Sequence, residues 1–234
     1  MADWQREDST RFRIPPKAHT MPAEKVFWLD PYLAELDARV TGVDGDVVTL
    51  DRTILFAESG GPGSDAGTID GLPVLSATRR GLEIEYSLPA SHGLNVDDPV
   101  RVAIDWPRRF ALMRLHFAAE LALELVTRTL PEARKVGANI SADKARIDFA
   151  METSIAPVLP AIAEEIARLV DADLEIVSAF SDEVAERRYW EIAGFASVAC
   201  GGTHPRSTGE VGRIALKREN PGRGKERTEI RLAD

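Results

Sequence analysis

Hydrophobic and polar positions alternate in short runs through the first part of the chain. Residues 38–43 and 47–50 alternate on either side of Asp44-Gly45-Asp46, a turn signal. Ile54 and Phe56 follow, then a glycine-rich loop from Ser59 to Gly67. Leu82-Glu83-Ile84-Glu85-Tyr86 keeps a period of two, and residues 100–104 read as a further strand. Such runs with polar turns predict a small barrel-like or sandwich unit over residues 25–105. The period changes at Trp106-Pro107. Leu112, Leu115, Ala119, Leu123 and Val126 recur at helical spacing from about residue 108 to 130, and Pro131 stops that helix. Beyond it, strands are predicted at 145–149 and 174–178. A helix is predicted at 154–170, with Pro157 and Pro160 in its early turns, and a short helix at 181–188. Residues 196–199, 212–216 and 228–232 read as extended segments. Interleaved helices and strands predict an α+β unit over residues 106–234 whose strands share one sheet. Residues 1–24 are polar and contain Pro15, Pro16 and Pro22, so they read as a flexible arm. The fold class is therefore α+β, with a β-rich first unit.

Composition narrows the function. The chain has 234 residues, one cysteine and a net charge of −9. One cysteine excludes an intrachain disulfide and fits a reducing cytoplasm. No apolar run is long enough to span a membrane, and no signal peptide is visible. The acidic balance argues against a general nucleic-acid binder. Basic residues nevertheless cluster at Arg108, Arg109 and Arg114, and at Lys217, Arg218, Arg223, Lys225, Arg227 and Arg231. Local basic patches suit a partner that carries phosphates at one place; a solvated surface is the plain alternative.

The densest chemistry lies in Cys200-Gly201-Gly202-Thr203-His204. It joins the single cysteine to one of four histidines at a spacing that lets both bind one metal ion. His116 and Glu120 sit at i and i+4 on the predicted long helix and share a face. Together His116, Glu120, Cys200 and His204 form a candidate site for one zinc ion. Glu120 has a second possible role, as a general base. The backbone N–H groups of Gly201 and Gly202 are candidate oxyanion donors, and Thr203 either touches substrate or caps its loop. Taken singly, Cys200 also fits a buried apolar position, His116 a core histidine and Glu120 a surface acid. His92 reads as a loop residue and His19 as part of the arm.

Residues 108–116 (Arg-Arg-Phe-Ala-Leu-Met-Arg-Leu-His) and the Cys200–His204 string resemble the alanyl-tRNA editing domain. That domain occurs within alanyl-tRNA synthetases and as free-standing AlaX proteins. Further matching pieces are residues 27–32, 51–53, 65–69, 102–106, 143–149, 188–190, 207–212 and 222–227, so the likeness runs over about residues 26–232. It implies a β-barrel-like domain followed by an editing domain of the threonyl/alanyl-tRNA synthetase second-additional-domain type. It also implies zinc-dependent hydrolysis of Ser-tRNA(Ala) or Gly-tRNA(Ala), an error that an alanine pocket cannot exclude by binding alone. The tRNA acceptor end is the implied partner. Arg108, Arg109, Arg114, Lys217, Arg223, Lys225 and Arg227 are expected on phosphates, and Ser59, Gly60, Gly61 and Asp65 in the substrate loop. No ATP-binding domain is expected. Three positions depart from the family pattern. Glu120 stands where the family's His-x-x-x-His has its second histidine. Phe117 replaces a small hydroxyl-bearing residue. Ser59-Gly60-Gly61-Pro62 stands in place of Gly-Gly-Gly-Gln. A non-catalytic tRNA-binding relative, or a hydrolase of another aminoacyl or acyl ester, remain the alternatives.

Overall fold

The computed structural model describes residues 22–222 and 224–233, so most of the expected arm, with His19, and also Arg223 lie outside it. The chain begins with a two-residue strand β1 (Glu24–Lys25) and one helical turn α1 (Val26–Leu29), which buries Val26, Phe27 and Trp28. The alternating runs become β2 (Glu35–Asp44), β3 (Val47–Leu50), β4 (Arg52–Thr53), β5 (Gly67–Ile69), β6 (Leu72–Pro73), β7 (Ser76–Arg80), β8 (Glu83–Ser87) and β9 (Pro99–Ile104). Seven of them form one antiparallel sheet of order β6-β5-β9-β2-β3-β8-β7, while β4 pairs with β1. The long β2 pairs with β9 through its first half and with β3 through its second, with a register shift between Val40 and Gly42. An irregularity of that kind bends a strand, and the sheet curls into a half-barrel. The inward residues Val40, Val48, Leu50, Ile69, Tyr86 and Val102 are fully buried. Gly67 is required where β5 meets β9, because a Cβ there would lie 2.2 Å from the Ala103 carbonyl oxygen.

The long helix α2 (Trp106–Thr129) starts at Trp106, two residues ahead of the expected start near 108. The Asp105 carboxylate accepts a hydrogen bond from the Arg108 N–H, and Pro107 occupies the first turn. Residues 115–119 are all buried, so the helix is covered around most of its circumference. A helix of this kind needs partners on more than one side. Its surroundings are β10 (Arg134–Ile140), β11 (Ala145–Ala150), α3 (Leu159–Asp171), β12 (Val177–Asp182), β13 (Arg187–Ile192), β14 (Ala196–Ala199), β15 (Ile214–Gly222) and β16 (Lys225–Leu232). These strands do not share one sheet as expected. They form a four-stranded sheet, β10-β11-β16-β15, and a separate three-stranded one, β12-β13-β14. Both contribute to the core around α2, the second through Trp190 and Ile192.

Two further expectations are corrected. The helix expected at 154–170 begins at Leu159, with Pro160 in its first turn and Pro157 ahead of it. The helix expected at 181–188 is the turn of a β-hairpin. Asp182 accepts from the Ala185 N–H, and Glu186 takes a left-handed conformation at φ 50°. Residues 187–192 then bury every second side chain, a period that a helix cannot satisfy.

The two halves meet at several named contacts. The glycine-rich loop runs along the free edge of β10, with Gly63 N–H donating to the Ile140 carbonyl (3.0 Å) and Ile140 N–H to that of Gly61 (2.9 Å). Lys25 and Arg79 both pair with Glu186 at the hairpin turn, at 2.5 and 2.7 Å. Among the described residues no helix is long and apolar enough to cross a membrane.

Candidate metal centre and substrate cleft

Two elements converge on one point. His116 projects from the middle of α2, and Cys200 and His204 lie on the loop that follows β14. Ligand atoms of His116, Cys200 and His204 all lie within 4.8 Å of one another. The Cys200 sulfur is 3.5 Å from His116 Nε2, and the two imidazole rings stack at 5.1 Å. His204 Nδ1 is 2.8 Å from Ser178 Oγ on β12, while its Nε2 is buried and has no hydrogen-bond partner among the described residues. Leaving a buried ring nitrogen unpaired is costly. A metal ion resolves that cost, and two imidazoles with one thiolate suit zinc. The residues present therefore fit a bound metal.

The backbone enforces this closeness. A Cβ on Gly202 would lie 2.2 Å from His116 Cε1, so only glycine lets the loop pass over the imidazole. The Cys200 N–H donates to the Arg188 carbonyl at 2.9 Å, and Trp28 Nε1 donates to the Gly201 carbonyl at 2.8 Å. Leu174–Ile176 pair with residues 206–208, which ties down the far end of the loop.

Electrostatics distinguish the two histidines. Burial pulls the His116 pKa down, but hydrogen bonding and charge from Cys200, then from Glu120, push it up to about 10. Burial, aided by the positive charge of His116 and Arg188, holds His204 well below the usual imidazole range. An imidazole must be neutral to bind a metal, so binding displaces the proton on His116.

Beside these donors lies an open cleft of about 410 Å³. Gly202, Thr203, His204, Pro205 and Arg206 form one wall. Residues 27–31 form the other, and Ser178 and Arg188 also line it. A volume of this size suits a small-molecule group or the end of a polymer.

A family model described as "Threonyl and Alanyl tRNA synthetase second additional domain" matches residues 190–229. An "Alanyl-tRNA editing protein AlaX-M" of Pyrococcus horikoshii is 32% identical over 212 residues, covering 89% of this chain and 97% of its own length. The chain belongs to the AlaX-M alanyl-tRNA editing family. A Methanosarcina acetivorans protein of the same description is 33% identical, covering 90% of this chain and 99% of its own length. An "Alanine--tRNA ligase" of Ignicoccus hospitalis is 31% identical over 83% of this chain, which spans 24% of that longer protein.

Within this editing scaffold the remaining candidate residues fall in different places. Glu120 is not part of the three-donor group. One carboxylate oxygen lies 3.5 Å from His116 Nε2, and the other accepts from Trp190 Nε1 at 3.2 Å. It therefore reaches the same His116 nitrogen that the Cys200 sulfur approaches. Burial opposes its ionised form, but His116 and Trp190 hold its pKa below the ordinary value. Phe117 is fully buried and packs edge-on against both Trp190 and His204, so its ring forms a wall of the centre.

Ser59 of the expected substrate loop lines a small pocket with Phe27 and Trp28, next to the cleft. Ser59, Gly60, Gly61 and Asp65 are absent from the lining of the cleft itself. Asp65 is buried and accepts from the Phe56 N–H at 2.7 Å, which shapes the loop from within.

The basic candidates separate as well. Arg109 was expected on phosphate but is 1% exposed. It forms a two-pronged ion pair with Asp65 and also donates to the carbonyls of Pro31 and Ile54. It is a bolt between α2 and the half-barrel. Arg227 is engaged by Asp148 and Glu219, whereas Lys217 and Lys225 stay exposed. Arg108 donates to the Ser64 carbonyl, and Arg114 donates to that of Val211. None of these lines the cleft.

Sequence reading missed the aromatic groups. Tyr32, Trp106 and Phe110 form a half-buried cluster beside the cleft mouth, and the Arg206 guanidinium lies 4.1 Å above the Tyr32 ring. Trp106-Pro107 had been legible only as a helix start. Residues 27–32 had been legible only as part of the family likeness.

Proposed function

We propose that the protein hydrolyses the ester linking a wrongly attached serine or glycine to tRNA(Ala), acting on free mischarged tRNA with one bound zinc. His116, Cys200 and His204 would hold the metal. The observation that carries this reading is the buried, unpaired His204 Nε2 beside the Cys200 sulfur and the His116 ring. Bound there, zinc would supply Lewis acidity toward water or the ester carbonyl.

The chain's own groups account for the rest. Ser178 holds the His204 ring in place through Nδ1. Glu120 contacts His116 Nε2 from the next turn of the same helix. The N–H groups of Gly201 and Gly202 donate no hydrogen bond among the described residues. At the cleft wall they suit an oxygen that gains negative charge as water adds to the ester carbonyl. The ester C–O bond then breaks, the ribose oxygen leaves with a proton, and free amino acid and uncharged tRNA result. Unpaired bases at the acceptor end suit stacking on Tyr32, Trp106 and Phe110. Arg108, Arg114, Lys217 and Lys225 remain candidates for phosphates farther along. Such a substrate places the protein in the cytoplasm.

The test is elemental analysis of purified protein combined with deacylation assays on Ser-tRNA(Ala), Gly-tRNA(Ala) and correctly charged Ala-tRNA(Ala). Near-stoichiometric zinc with loss of serine or glycine, and sparing of alanine, is the expected result. Zinc-loaded protein that cleaves none of these but still binds tRNA would instead make it a non-catalytic relative.

A further inference from the structure

Arg188 occupies a position where an apolar side chain is expected. It alternates with Trp190 and Ile192 on the inward face of β13 and is only 6% exposed. Its guanidinium lies 4.5 Å from the Phe180 ring centroid and 5.5 Å from that of Trp28. The guanidinium's one hydrogen bond among the described residues runs from Nη2 to the Trp28 carbonyl, at a long 3.3 Å. It forms no ion pair with any carboxylate of the described residues. Other arginines with limited exposure behave differently: Arg109 is matched by Asp65, Arg218 by Glu226 and Arg227 by Asp148.

A guanidinium does not shed its proton in a protein, and burying one without a counter-ion is costly. Flanking aromatic rings offset part of that cost. Arg188 also lines the cleft, together with His204 and Thr203. The charge thus faces the space that a substrate would enter, next to the three metal donors.

We propose that Arg188 is the anion-binding residue of this cleft and takes an anionic oxygen of the substrate. This rests on the deacylase reading for the substrate's identity, but the site itself does not. Two oxygens share the required chemistry: a phosphodiester oxygen of the terminal nucleotide, and the oxygen that becomes negative as water adds to the ester carbonyl. A guanidinium meets either with parallel N–H donors.

The experiment uses full-length protein, wild type and the R188Q and R188K variants, with folding checked by circular dichroism and thermal melting. Adenosine 5′-monophosphate and adenosine are titrated separately by calorimetry, and Ser-tRNA(Ala) hydrolysis is followed in parallel. If the phosphate is the ligand, wild type prefers the monophosphate by about tenfold or more, R188Q abolishes that preference, and KM rises with kcat largely kept. If the ester oxygen is the ligand, the two nucleosides bind alike. R188Q then lowers kcat about a hundredfold at unchanged KM, and R188K recovers part of it. Folded variants that match wild type in nucleotide preference, kcat and KM overturn the proposal. So does a wild type without monophosphate preference whose folded R188K variant keeps full kcat. An Arg188-dependent monophosphate preference in a protein that cleaves no mischarged tRNA would sustain this site and overturn the deacylase reading alone.

Discussion

Ser178 Oγ lies 2.8 Å from Nδ1 of His204, while Nε2 of that buried ring, grouped with Cys200 and His116, has no hydrogen-bond partner among the described residues. The serine comes from β12 and the histidine from the loop after β14, so the hairpin sheet positions the ring of a candidate metal donor. Partners of this kind typically contribute a factor of about 10 to 100 in metal affinity. Ser178→Ala is expected to weaken zinc binding by about that factor while leaving the thermal unfolding of chelator-treated protein almost unchanged. Competition with a colorimetric chelator measures the first, and melting after dialysis against chelator the second.

Gly202 passes over His116 so closely that a methyl group would stand 2.2 Å from its Cε1. A Gly202→Ala chain must therefore move the imidazole or the loop. Zinc content per chain is expected to fall well below one, with the half-barrel intact. Metal analysis alongside circular dichroism checks both. Gly201→Ala meets nothing within 4 Å and serves as the control that keeps its metal.

The Arg109–Asp65 pair joins α2 to the loop of the half-barrel at 1% and 3% side-chain exposure. Removing one partner leaves the other charge buried alone, which costs about 3–5 kcal/mol. Arg109→Met and Asp65→Leu are each expected to lower unfolding stability by about that much, and the double substitution by less than their sum. Urea denaturation of the three variants gives the coupling. Because Arg109 does not face solvent, its loss is expected to leave the salt dependence of tRNA binding unchanged in the protein that remains folded. Removing an exposed Lys225 that touches phosphate would reduce that slope.

Glu226 is held below the ordinary carboxylate pKa, first by its two-pronged bond to Arg218 and also by the Ile155 N–H. Its folded pKa is thus lower than its unfolded one. The stability it contributes is present above the unfolded value and is lost as pH falls through the folded value. Glu226→Gln is expected to be less stable near neutral pH and to show a shallower loss of stability below about pH 4. Urea unfolding midpoints between pH 3 and 7 measure the difference.

Much of the architecture was legible from local pattern. Period two in β2, β3 and β8, the change of pattern at Trp106-Pro107 and the stop at Pro131 are short-range signals, and the elements follow them. Cys200 through His204 announced a metal site because two donors and two glycines sit within five residues. Tertiary structure decided the rest. It separated Glu120 from the donor group, since helical spacing places two side chains on one face but does not set the distance to a loop 80 residues away. It turned Arg109 from a surface cation into a buried bolt, because only packing brings Asp65 to it. It replaced the helix expected at 181–188 by a hairpin, because the burial demanded of Arg188, Trp190 and Ile192 has a period of two. Local order follows from the torsional and spacing preferences of neighbours along the chain. Convergence of His116 with Cys200 and His204, and the choice of which arginine lies in the cleft, depend on contacts between residues far apart in sequence, which those preferences do not contain.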